Sequence, residues 1–214
     1  GGGDACRPRP QEVSWGMGST APEAWPSRGG AGALRFPPLP SELVERVAFE
    51  ARVDKRIDRR SGVSQRMPIS VLENVVSNAE RRSIKAGDSD VVPRLADVYA
   101  ALPAITGKIE LEYEGELVGG ASIARELIRR AADATLKAHA PHAQTDEIVM
   151  FFDGGAALQV TDEAPVATLR AAFATIPGLL DLVTHNALAA DNDDALVAGA
   201  GEWVLDALGA RRKL

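Results

Sequence analysis

The chain has 214 residues, 25% of them charged and 45% hydrophobic, the profile of one globular domain or at most two small ones. No run approaches the ~20 consecutive apolar residues of a membrane helix, and no basic stretch followed by an apolar one reads as a secretory signal. The single cysteine, Cys6, excludes an intramolecular disulfide framework and a cysteine-based zinc cage, so a reducing, cytoplasmic setting is expected.

Net charge is −6, but it is unevenly spread. From Arg46 to Arg66 seven basic residues face three acids, net +4. From Ala140 to Ala210 eleven acids face Arg170 alone, net −10. An anion is welcome at the first segment and repelled by the last, which makes nucleic acid an unlikely partner.

Residues 1–40 hold eight glycines and seven prolines and read as an irregular segment or linker. A first helix is predicted from a Ser41 cap to about Ile57, with Leu43, Val44, Val47, Ala48 and Ala51 on one stripe. A second follows a Ser64 cap, placing Arg66 and Pro68 in its first turn and Ile69, Leu72, Val75, Val76 and Ala79 inward. A third starts after Asp88 or Asp90 and ends near Pro103. Strict alternation over Lys108–Tyr113 predicts a strand, closed by a turn at 114–116. A long amphipathic helix capped by Ser122 runs to His139, with Ile123, Leu127, Ile128, Ala131 and Ala134 on its core side. Beyond it come a short helix or strand at 147–152, a strand at 157–160, and helices near 163–175, 177–189 and 193–209. The chain thus divides into an irregular part (1–40), a helical domain (41–140) and an acidic helical extension (141–214).

Few of these elements carry chemistry by themselves. The only Gly-Lys pair, Gly107-Lys108, heads the predicted strand, so no phosphate-cradling loop is present, and no serine sits in a nucleophile elbow. His139-x-x-His142 lacks supporting carboxylates for a metal and reads as a helix end that favours cations. Asp191, Asp193 and Glu202 fit three positions of a calcium loop, but Leu196 stands where glycine must turn, so helix capping is the better account and no metal site is assigned. Arg66 is the misfit. A cation at a helix start opposes the macrodipole, and an anion held by the free N–H groups would compensate.

Arg60-Ser61-Gly62-Val63-Ser64-Gln65-Arg66 and the helix Met67–Arg82 resemble the C-terminal lid of AAA+ ATPases of the magnesium-chelatase subunit I and MoxR type. In that group a Gly-x-x-x-Arg turn opens the lid helix. The likeness extends through Phe49–Asp58, Val92–Tyr99 and Thr106–Glu116, in the family's order. The resemblance implies a mainly α, lid-like bundle with one or two short strands. It also implies a ring-forming motor that uses ATP and Mg2+, in which Arg66 is the sensor-2 arginine at the γ-phosphate, with Ser64 and Gln65 beside it. A homo-oligomeric ring and a von Willebrand-type or chelatase partner subunit follow from the same likeness. The family's phosphate loop, acidic magnesium motif and sensor 1 lie in an N-terminal core that this sequence lacks, so no hydrolysis is expected of the chain alone. The alternatives are a stand-alone helical interaction module and, less favoured, a DNA binder using Arg52–Arg60.

Overall fold

The computed structural model describes residues 33–35, 37–58, 60, 63, 64, 66–190 and 192–210. Ten helices and two short strands make up the regular structure among them. Strands β1 (Ala33–Leu34) and β2 (Asp90–Val91) pair in parallel, a contact extended by the Arg35 N–H to the Val91 carbonyl at 3.0 Å. The rest of the regular structure is helical, so the molecule is mainly α.

Helix α1 (Pro38–Val53) begins earlier than its serine suggested. Pro37 is the cap and Pro38 opens the first turn, where a missing N–H costs nothing, so Ser41 lies inside the helix and is buried. The predicted stripe is otherwise the observed one: Leu43, Val44, Val47, Ala48 and Ala51 are all at most 3% exposed. Asp54 stops the helix short of Ile57. Helix α2 (Met67–Ala86) ends at Gly87, whose φ of 72° lies in the left-handed region that only glycine adopts cheaply.

Next come α3 (Leu95–Ala100) and α4 (Leu102–Thr106), a broken pair where one helix was expected. Neither Asp88 nor Asp90 caps α3. Arg94 does, its N–H donating to Asp97 Oδ2 at 2.8 Å.

The predicted strand at 108–113 is not one. Its backbone forms a single antiparallel bridge, Leu111 to Ile57, with bonds from Asp58 N–H to the Glu110 carbonyl and from Glu112 N–H to the Arg56 carbonyl. Ile109 and Leu111 do turn inward, which accounts for the alternation, but Tyr113 begins helix α5 (Tyr113–Val118) instead. Glu114 and Glu116 in its first turn favour a helix start there. Gly115 is required: a Cβ at that position would lie 2.3 Å from the Arg56 carbonyl oxygen, so α5 presses directly on the 54–58 turn.

Helix α6 (Gly120–His139) is the central element, capped by Gly119 rather than Ser122. Its Ile123, Leu127, Ile128 and Ala131 are fully buried. Helices α7 (Asp146–Asp153), α8 (Val166–Phe173), α9 (Leu179–His185) and α10 (Asp194–Ala210) complete the chain, and 157–160 is not a strand. Helix α6 packs on α1 and on α10, and α10 packs in turn on α8 and α9. The buried apolar residues on both sides of position 140 form one cluster, from Leu43 to Leu208. Among the described residues no helix is long and apolar enough to cross a membrane.

Candidate functional site

Arg66 caps α2, with φ and ψ of −82° and −4°, and its side chain is exposed. Ser64 shapes the turn that precedes it. Its Oγ accepts the Arg66 N–H at 3.3 Å, and its carbonyl accepts the Met67 N–H at 2.9 Å. Of the first amides of the helix, those of Arg66 and Met67 are taken up by Ser64, and Pro68 has none. Gln65, the third candidate of the site, lies outside the described residues.

Part of the basic segment that precedes Arg66 is already engaged. Arg46 pairs with Glu42 at 2.8 Å, and the Arg52 guanidinium sits 5.3 Å above the Phe49 ring. Arg56 and Arg130 share the Asp54 carboxylate at 2.8 and 2.6 Å, and Arg56 also reaches Glu126 at 2.7 Å. Hydrogen bonds from Arg56 hold the Asp54 carboxyl well below the usual carboxylate range, against the opposing effect of burial. Arg66, like Lys55 and Arg60, has no acidic partner among the described residues.

The histidine pair separates. His139 Nε2 contacts Glu42 Oε2 at 2.6 Å, and its ring meets the edge of Trp203 with centroids 6.5 Å apart. Burial would raise the Glu42 carboxyl, but hydrogen bonds from His139 and Arg46 outweigh it and hold it low. His142 lines a separate polar cleft with Asp146, Glu147, Asp181 and His185. Among the described residues no three His, Cys, Asp or Glu side chains come together to hold a metal. Of the calcium template, Asp191 lies outside the described residues, while Asp193 pairs with Arg35 and accepts the Leu196 N–H at the start of α10. That is a capping role.

Sequence reasoning missed the most unusual chemistry, a buried ionic network where α2, α3 and α10 meet. Arg82 Nη2 donates to Asp97 at 2.9 Å and to the Val92 carbonyl at 2.7 Å. Arg94, with 1% of its surface exposed, donates to the carbonyls of Asp162 and Ala164 at 2.8 and 3.1 Å. Glu202 comes from α10 to within 3.5 Å of Arg94 Nε and of the Ala96 N–H. Burial pushes the Glu202 carboxyl up to about 7, with Arg94 pulling the other way. Arg94 and Trp203 also line a small, mostly apolar cleft with Pro40, Leu43, Val98 and Leu196. The network joins separate parts of the fold. It ties the 162–164 turn and α10 to the rest of the bundle.

Comparison of the chain with protein-family models, with curated proteins and with solved structures returns no match.

Proposed function

We propose that this chain is the C-terminal lid portion of a AAA+ ATPase of the magnesium-chelatase subunit I or MoxR type. In that reading Arg66 closes on the γ-phosphate of ATP, held with Mg2+ by a separate phosphate-loop core in a ring assembly. One observation supports it above the others. Arg56, Arg82, Arg94 and Arg130 are drawn into carboxylates, whereas Arg66 stands exposed and unpaired among the described residues at the mouth of a 20-residue helix. A long helix is a rigid arm, and a guanidinium at its end can meet phosphate oxygens through several N–H groups at once.

Catalysis of phosphoryl transfer is mostly positioning and charge stabilisation. In the proposed motor ATP supplies the phosphoryl group and Mg2+ screens its charge. Arg66 adds positive charge on the lid side, and Ser64 fixes the turn that aims it. The described residues offer no group to hold the metal.

The test is made in a protein that joins this lid to its phosphate-loop core. There Arg66→Ala should lower hydrolysis by at least 10²-fold with the melting temperature unchanged, as removal of one preorganised charge from a phosphoryl-transfer site does. Turnover equal to the wild type would remove Arg66 from the site. The chain alone should show no calorimetric binding of Mg-ATP tighter than about millimolar (a weak affinity of roughly −4 kcal/mol).

A second reading is favoured by a different observation. Two basic residues of the segment before Arg66 are already paired, Arg46 with Glu42 and Arg56 with Asp54 and Glu126. A helical interaction module without nucleotide chemistry needs nothing more from them. An Arg66→Ala variant with normal turnover would favour this alternative.

A further inference from the structure

Helix α5 turns an apolar face outward. Tyr113 and Leu117, one turn apart, are 74% and 73% exposed, and Val118 beside them is 44% exposed. Nothing among the described residues covers these side chains. The helix is firmly seated, because its Gly115 lies directly against the Arg56 backbone. The apolar face is thus a fixed surface and not a fraying end.

The rim around it carries both signs. Glu110, Glu112, Glu114 and Glu116 are exposed, and so are Lys55, Arg60 and Lys108 on the adjoining strands of chain. None of these seven side chains forms an ion pair among the described residues. The segments that carry them meet antiparallel at the Ile57–Leu111 bridge, and the Arg56 backbone next to Lys55 lies against Glu112 and Gly115 at the start of α5. A purely basic partner would meet the lysines and arginine as repulsion, and a purely acidic one would meet the glutamates. A surface with four negative and three positive groups around an apolar centre complements itself.

We propose that α5 is a two-fold self-association surface, whose occupant is the same face of a second copy of this chain. Tyr113, Leu117 and Val118 of one protomer pack on their counterparts. In a two-fold contact each surface is both donor and acceptor, so Lys55 and Arg60 of one copy face the glutamates of the other, and the reverse. The exposed apolar centre is only three side chains wide, well short of an obligate interface, so the dimer is weak and forms at high micromolar concentration. The proposal stands independently of the nucleotide reading.

Sedimentation equilibrium of the full chain tests it. The expected result is a monomer–dimer equilibrium whose Kd rises at least tenfold in the double variant Tyr113→Ser, Leu117→Ser. Both side chains are exposed, so the variant should keep the wild-type melting temperature. Lys55→Glu, which leaves the apolar centre intact, should weaken the dimer several-fold, as should 0.5 M salt, about a 4 Å Debye length. Three results overturn the proposal: a monomer at every concentration, which would leave the face to a different protein; a ladder of species beyond the dimer, which would mean a head-to-tail contact; or a dimer that none of these changes weakens.

Discussion

Glu202 should make this protein's stability depend on pH in a range where few proteins change. Its carboxyl titrates near 7 in the folded state against 4.5 for the free group, because α10 carries it into the network of Arg94, Arg82, Asp97 and Asp88. The folded protein therefore holds this proton more tightly than the unfolded chain does. The stability contributed by the protonated form is complete below pH 4.5, declines as pH rises, and is lost once pH passes 7. Ionising such a group costs about 3 kcal/mol more in the fold than in water. Charge balance points the same way. Without Glu202, Arg82 and Arg94 are matched by Asp97 and Asp88, so a neutral side chain at 202 leaves a network of zero net charge. Glu202→Gln mimics the protonated form at every pH. Thermal unfolding at pH 5 and pH 8 separates the two proteins. For a chain of this size ~3 kcal/mol moves the midpoint by roughly 6–12 °C, so the variant should exceed the wild type by up to that amount at pH 8 and match it at pH 5. The buried Asp206 titrates in both proteins and cancels in the difference. If the two midpoints run parallel between pH 5 and 8, Glu202 is not held near neutrality and the reasoning fails.

Two further expectations concern packing and the Asp54 cluster. Gly201 lets α10 approach α8, since a Cβ there would stand 2.6 Å from Phe173 Cδ2. Gly201→Ala should cost about 1–3 kcal/mol in urea unfolding, and Phe173→Leu in the same chain should recover part of it. Asp54, held low chiefly by Arg56, contributes stability that is present above the ordinary carboxylate range and lost as pH falls through and below it. Asp54→Asn should therefore cost about 2 kcal/mol at pH 7 and much less near pH 2, measured by urea midpoints at both.

Helices α1, α2 and α6 were legible because each buries one stripe, and hydrophobic periodicity reports that stripe directly. Their starts were less so. Ser41 has the composition of a cap, yet Pro38 begins α1 three residues earlier, and Arg94 caps α3 through Asp97 where an aspartate was expected. The false strand at 108–113 had a sound local cause. Ile109 and Leu111 do alternate inward, but only Ile57 pairs with the segment, and one bridge does not make a sheet. Arg66 drew notice in the sequence because a cation at a helix start is a local anomaly. The Arg94–Glu202 pair was invisible because its partners lie 108 positions apart in the chain, and each looks like an ordinary surface charge.

Helix α10 lays Trp203, Val204 and Leu208 into the same core as α6, and Arg94 grips the carbonyls just before α8. A cut at position 140 would part α6 from α10, on which it packs, and bare apolar surface on both pieces. The stretch from α1 to α10 shares one buried cluster and should therefore melt as one cooperative unit.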